Sequence, residues 1–207
     1  MTGSDHFQRE TNVSRETLAK LEQYAALLQK WNPAINLVAR STLDDIWSRH
    51  MLDSAQILSL APEDVMSWAD LGAGGGFPGL VVATMAQETH PALHVTLVES
   101  DQRKATFLRT VARELGLNVS VLSQRVESIE DLKVQVVSAR ALAALDPLLA
   151  LAKPLLQADG ICIFPQGATC DKEVQEALAS WSFVAENFVS KTDSNATILK
   201  LREIRRV

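Results

Sequence analysis

Two hydrophobic rhythms divide the chain. Up to about residue 60 the apolar positions recur at intervals of three and four; beyond residue 65 they contract into short runs separated by longer amphipathic stretches. In the first part Leu18, Leu21, Tyr24, Ala25, Leu28 and Trp31 form one stripe, which predicts a helix with one face against a core. Ser14 is placed to cap its N-terminus, and Asn32-Pro33 is expected to end it, because the residue before proline avoids the helical region. A second helix is predicted from Ser41, with Asp44 three residues on in the manner of a capping box. It carries Ile46, Trp47, Leu52 and Leu58 and fades before Pro62. Residues 1–13 lack such a pattern and are expected to fray.

In the second part, apolar runs predict strands at 65–71, 95–98, 119–122, 135–138 and 161–164, with helices at 78–87, 102–115, 146–156 and 172–180. Strands that alternate with helices imply βαβ units and a parallel sheet wound right-handed. The tail differs. Strands at 183–189 and 196–201 are separated only by a polar turn, Lys191 to Asn195, so they can pair antiparallel. The expected fold class is α/β: a Rossmann-like, seven-stranded sheet, mostly parallel, closed by an antiparallel C-terminal hairpin. Residues 1–60 would form an N-terminal helical extension and residues 61–207 the domain that contains the sheet.

Composition narrows this little. The 207 residues are 47% apolar and 22% charged, as in an ordinary soluble globular protein. The longest apolar candidate, 141–156, is broken by Asp146, Pro147, Lys153 and Pro154, so no membrane span is expected. A polar start (Thr2, Ser4, Asp5, His6) lacks a secretory pattern, and a cytoplasmic protein is expected. Cys162 and Cys170 lie eight positions apart, a spacing that matches no zinc or redox motif, and they read as reduced thiols. His6, His50, His90 and His94 are scattered, so no metal is expected. The net charge of −5 argues against indiscriminate nucleic-acid binding; an RNA would have to be read through a local patch or within a larger particle.

The candidate chemistry begins at Asp70-Leu71-Gly72-Ala73-Gly74-Gly75-Gly76-Phe77-Pro78-Gly79, between a predicted strand and a predicted helix. Five glycines in eight positions let a ligand approach bare backbone, and N–H groups at the helix start suit an anionic group. The alternative is a plain tight turn. A dinucleotide fingerprint would need glycine at position 77, which is Phe77; the loop instead reads G-x-G-x-G. A second element lies 23 residues after Gly76, where the strand His94–Val98 runs into Glu99. A carboxylate there can accept hydrogen bonds from both ribose hydroxyls of a nucleoside. That feature alone does not separate NAD from other nucleotides, and a surface glutamate is the plainer reading.

The loop resembles the first motif of class I S-adenosylmethionine-dependent methyltransferases, whose sheets typically end in such a hairpin. Further segments are more selective. Trp31-Asn32, Ile35-Asn36-Leu37 and Arg49-His50-Met51-Leu52-Asp53-Ser54 precede the loop with its Phe77-Pro78-Gly79 ending. Arg103-Lys104, Phe107-Leu108-Arg109, Glu114-Leu115, Gln124-Arg125-Val126-Glu127 and Ser138-Ala139-Arg140-Ala141 follow it. Together they resemble the family of ribosomal RNA small subunit methyltransferase G, also called glucose-inhibited division protein B, from about residue 20 to residue 167. The resemblance implies cofactor contacts at Gly72, Phe77, Val126, Glu127 and Arg140, to which the loop and strand add Gly74, Gly76 and Glu99. Val126-Glu127 and Arg140 follow predicted strands at the carboxyl edge, where ligands of open α/β sheets bind. Arg140 could hold a carboxylate or phosphate, or form an ordinary ion pair. His50 and Asp53 share a helix face, and either line the cofactor mouth, contact RNA or form a structural pair. The chain departs from the family pattern at Glu99, where many members have aspartate. It departs again at Gln166, where a lysine usually precedes glycine, and at Asn195-Ala196-Thr197, which lacks a basic pair.

The implied reaction is methyl transfer from S-adenosylmethionine to guanine N7 in 16S ribosomal RNA, on the RNA or the small ribosomal subunit, by a monomer without metal. N7 carries a free lone pair, so no base is needed. Consistently, the chain has no Asn/Asp-Pro-Pro-aromatic motif and no cysteine placed as a C5 nucleophile. Arg103, Lys104, Arg109 and Arg113 on one helix, Arg202, Arg205 and Arg206 at the C-terminus, and Lys30, Arg40 and Arg49 are candidate RNA contacts or simply solvated charge. Phe77 and Trp47 are candidate stacking platforms for a splayed base. The competing readings are a methyltransferase acting on a small molecule or protein, an NAD-dependent oxidoreductase, and a non-catalytic RNA-binding module.

Overall fold

A computed structural model describes residues 3–207. The elements run α1 (Gly3–Thr11), α2 (Arg15–Ile35), α3 (Asp53–Ala55), β1 (Ser67–Leu71), α4 (Gly79–Thr89), β2 (His94–Val98), α5 (Gln102–Glu114), β3 (Val119–Leu122), β4 (Val134–Ala139), α6 (Leu145–Ala152), β5 (Leu156–Gln166), α7 (Cys170–Ala177), β6 (Trp181–Val189) and β7 (Thr197–Arg206). Among the described residues the sheet has seven strands in the order β3-β2-β1-β4-β5-β7-β6. β1 to β5 are parallel; β7 pairs antiparallel with both β5 and β6. The expected fold class and the hairpin are thus both present.

The strand order reverses between β1 and β4, both buried almost throughout. Side chains from β1, β2 and β4 go to both faces. Trp68, Val95, Leu97 and Val136 join the N-terminal helices, α4 and α5 in one hydrophobic cluster. Ala69, Leu71, Val137 and Phe164 join α6 and α7 in the other. The N-terminal segment therefore shares its core with one face of the sheet: Phe7, Leu21, Tyr24 and Leu28 are fully buried there.

Three expectations need correction. Residues 3–11 are helical, not frayed, because Phe7 is buried edge-on against Trp47, with ring centroids 5.6 Å apart; residues 1 and 2 lie outside the described residues. The helix begun at the Ser14 cap continues through Pro33 to Ile35. Proline removes only one N–H there, and the turn closes from Asn36 (φ 48°) to the Asn32 carbonyl, while the Asn32 side chain takes the Val38 N–H at 2.9 Å. The predicted helix from Ser41 is instead a 3-10 turn at Arg40–Thr42 and a π-helical turn at Trp47–Leu52 that runs into α3. In that wide turn the Asp53 N–H reaches the Ser48 and His50 carbonyls rather than that of Arg49.

Candidate active site

The glycine loop is built from below. At the end of β1 Asp70 is completely buried; its Oδ2 accepts the Gly79 N–H at 2.9 Å and its Oδ1 the Ser138 hydroxyl at 2.7 Å. Ser138 in turn accepts the Trp68 indole N–H at 2.8 Å. Burial pushes the Asp70 carboxyl up to about 7, against the pull of Ser138, Gly79 and the Arg140 charge. The carboxyl is therefore a brace for the first turn of α4 and is walled off from any ligand. Gly76 adopts φ 98°, and a Cβ there would stand 2.6 Å from the Tyr24 hydroxyl and 2.4 Å from Leu80. Glycine is required on both counts.

Around the loop lies a cavity of about 280 Å³ lined by Gly72, Gly74, Glu99, Val126, Glu127 and Leu142, with Val98, Lys104 and Leu151 among the rest. Glu99 is 8% exposed. Its Oε2 accepts the Gly74 N–H at 2.9 Å and its Oε1 the Asp101 N–H at 2.8 Å. Each oxygen keeps a second lone pair, which suits a ribose diol. A Cβ on Gly74 would meet only the Gly72 carbonyl, at 3.7 Å, so backbone lies bare to the cavity. Val126 is half-buried on the 3-10 turn Val126–Ser128 and offers an apolar surface for a purine. Carboxylate, bare backbone and apolar wall together fit an adenosyl group.

The structure brings Gly72, Gly74, Glu99, Val126 and Glu127 together at this cavity, and puts Gly76, Phe77 and Arg140 elsewhere. Gly76 is buried under Tyr24. Phe77 is 4% exposed and stacks with Tyr24 and with His50, at centroid distances of 5.3 and 5.0 Å. Its ring is therefore a packing element, and only its backbone is left to meet a ligand. Trp47, half-buried, meets Phe7 in an edge contact.

Arg140 lies at the end of β4 and faces a second, larger cavity of about 610 Å³, lined also by Arg49, His50, Asp53 and Thr192. Its Nη1 donates to Asp53 Oδ2 at 3.1 Å and to the Arg49 carbonyl at 3.2 Å, the carbonyl that the π-turn leaves unused. Its Nη2 donates to His50 Nδ1 at 2.9 Å. Arginine can only donate, so Nδ1 holds a lone pair and the ring proton sits on Nε2, which donates to Thr42 at 2.8 Å. Burial, then the charges of Arg140 and Arg49, lower the His50 pKa to about 4. His50 and Asp53 are thus the seat of Arg140, a pairing across about ninety residues of sequence. An adjoining pocket links Arg140 and Ala141 to Gln166, at the end of β5. Sequence reading missed Leu142, an apolar residue with no motif to mark it, and gave Asp70 no role of its own.

The other basic candidates are mostly solvent-facing. Arg103 pairs with the Asp101 carboxylate that caps α5, Arg109 donates to the Val121 carbonyl, and Arg202 pairs with Glu186 and Glu203. Cys162 and Cys170 are buried free thiols. Among the described residues no cluster of His, Cys, Asp or Glu is arranged to hold a metal, and no helix is long and apolar enough to cross a membrane.

A sheet of this order with a glycine-lined cavity at the carboxyl edge of β1 and β2 defines a class I S-adenosylmethionine-dependent methyltransferase. The family described as GidB, rRNA small subunit methyltransferase G, matches residues 17–199. The chain belongs to that family. A ribosomal RNA small subunit methyltransferase G from Cereibacter sphaeroides is 54% identical over 95% of this chain and 94% of its own length. One from Rhodospirillum centenum is 52% identical over 96% of this chain and 89% of its own. Among solved structures, the O-methyltransferase from Bacillus cereus in complex with SAH superposes with a TM-score of 0.63 at 13% identity, covering 98% of both chains. The SAM-dependent O-methyltransferase from Thermotoga maritima gives 0.54 at 16% identity, covering 75% of this chain and 66% of its own. At such identities the structures speak to the fold alone.

Proposed function

We propose that this enzyme transfers a methyl group from S-adenosylmethionine to N7 of a guanine in 16S ribosomal RNA, presented as RNA or as the small ribosomal subunit. The observation that carries this is a pair of cavities either side of one short stretch of chain, Arg140–Leu142: a glycine-lined one with the Glu99 carboxylate, and a larger one with Arg49 and Arg140. When bound, the cofactor supplies an electrophilic methyl on a sulfonium that carries its own leaving group. The chain's part is to hold and align. Glu99 accepts from the ribose hydroxyls, Gly72 and Gly74 offer backbone, Val126 and Glu127 border the adenine, and Phe77 acts through its backbone. Gly76 shapes the loop from within. Arg140 supports the RNA side or the cofactor's carboxylate from its seat on Asp53 and His50. Guanine N7 has a lone pair and no proton to lose, so alignment suffices and no general base is called for. The residues that follow β4, Arg140 to Ala144, are accordingly free of carboxylates and amides.

The reading carries with it a cytoplasmic enzyme working as a monomer, which sedimentation at working concentration would check. Labelled S-adenosylmethionine incubated with small subunits lacking the modification should put label into 16S RNA, recovered as 7-methylguanosine. Label found only in protein or in small molecules would favour the alternative methyltransferase reading.

A further inference from the structure

The stretch that separates the two cavities is unusual in its backbone. β4 ends at Ala139; Arg140 then turns to the larger cavity and Leu142 to the glycine-lined one. The residue between them, Ala141, has φ 51°, a left-handed conformation that non-glycine residues rarely adopt. That reversal is what sends two near neighbours to opposite sides. The stretch is tied at both ends: Arg140 by Asp53 and His50, and Leu145 through its N–H to Glu173 Oε2 at 3.1 Å. Between the ties, Leu142 is 38% exposed, and its Cδ1 lies 2.7 Å from the point where a Cβ on Gly72 would stand. A large apolar side chain is thus laid across the bare backbone of the loop, two residues along the chain from the Arg140 that faces the other cavity.

Direct methyl transfer requires the accepting nitrogen within about 3–3.5 Å of the methyl carbon. Nothing can stand between the cavities at that moment. We propose that Leu142 is a steric gate between cofactor and RNA: seated on Gly72 it covers the bound cofactor, and the incoming guanine displaces it. This rests on the reading of the two cavities as cofactor and RNA sites. The gate has a two-sided signature. Seated, Leu142 adds contact to the cofactor; displaced, it costs the RNA that contact. Shortening it must therefore weaken one ligand and strengthen the other, which neither an RNA-contacting residue nor a structural one would do.

The test compares wild type, Leu142→Ala and Leu142→Met, with equal thermal melts as the check on folding. S-adenosylhomocysteine should bind Leu142→Ala about tenfold more weakly, the equivalent of roughly two lost methylene contacts. The same variant, loaded with S-adenosylhomocysteine, should bind unmodified small subunits several-fold more tightly. Leu142→Met, which keeps the bulk, should match wild type in both. Both affinities falling, or neither changing, would overturn the gate. Failure of the functional reading shows separately, as wild type that places no methyl in 16S RNA; the S-adenosylhomocysteine affinity then decides by itself whether Leu142 covers the cofactor.

Discussion

The Tyr24 hydroxyl, on α2, donates to the carbonyl of Gly75 in the middle of the glycine loop, fifty-one positions along the chain. Both groups are buried, and burial raises the phenol pKa well above its ordinary value, so the hydroxyl keeps its proton to donate. Helix α2 thereby braces the glycine loop although none of its residues lines the cavity beside that loop. Tyr24→Phe leaves the Gly75 carbonyl unpaired, at a cost of about 1–3 kcal/mol. Thermal unfolding should show a melting temperature lower by about 2–10 °C. The loosened loop should also bind S-adenosylhomocysteine more weakly in a calorimetric titration.

Glu99 does two jobs that substitution can separate. Glu99→Gln keeps a carbonyl oxygen for one of the backbone N–H groups that Glu99 now serves, but loses the charge that strengthens a ribose contact. A charge-assisted hydrogen bond is worth about 1.5–3 kcal/mol, so cofactor affinity should fall by about 10- to 150-fold. Glu99→Ala should lose more, and lose stability as well, because the Gly74 and Asp101 N–H groups go unpaired. Affinity unchanged in Glu99→Gln would place the ribose elsewhere.

Asp70 and His50 give stability opposite pH slopes. Folding raises Asp70 from 3.8 to about 7, so between those values the folded chain holds a proton that the unfolded chain has released. Through Asp70 stability therefore falls as pH rises across that window, by at most about 1.4 kcal/mol per pH unit. Folding lowers His50 from 6.5 to about 4, so there the unfolded chain holds the extra proton and stability rises with pH. His50 is partly exposed, and its slope is the shallower. Denaturant titrations from pH 4 to 7 should show Asp70→Asn tilting the profile upward with pH and His50→Gln tilting it downward.

Ala141→Gly removes the left-handed penalty while adding glycine's freedom to the unfolded chain. The balance should favour the variant by about 0.5–1 kcal/mol, seen as a melting temperature raised by about 1–4 °C. A lower melting temperature would mean that the alanine methyl packs usefully where it is.

What was legible in the chain was what repeats. The strand at 95–98 could be read because a buried parallel strand is a short apolar run, the half-exposed edge strand at 119–122 because Val119, Val121 and Leu122 are apolar, and α5 because one face of it is buried and the other is charged. Residues 3–11 were illegible because one ring, Phe7, anchors the helix, and a single anchor has no period. The π-turn at Trp47–Leu52 was hidden because the group it meets lies just beyond β4, where Arg140 takes the Arg49 carbonyl. Phe77 has the residue type of a stacking platform, and only the placement of Tyr24 and His50 shows that its ring is occupied. The glycine loop and the strand-end carboxylate were readable from motif and spacing; the seat of Arg140 on His50 and Asp53, about ninety residues away, was not.

The shared core sets an order on synthesis. Tyr24 and Trp31 come to lie against Phe107, with centroids 6.4 and 5.7 Å away. While the chain is being made, the first helices leave the ribosome several seconds before that ring exists, at ~5–20 residues per second. For that interval the apolar stripe of α2 is a sticky, partly uncovered surface on a nascent chain: Phe77 and α4 reach it first, and its burial is complete only when α5 arrives. A chaperone that meets this protein at birth meets that stripe first.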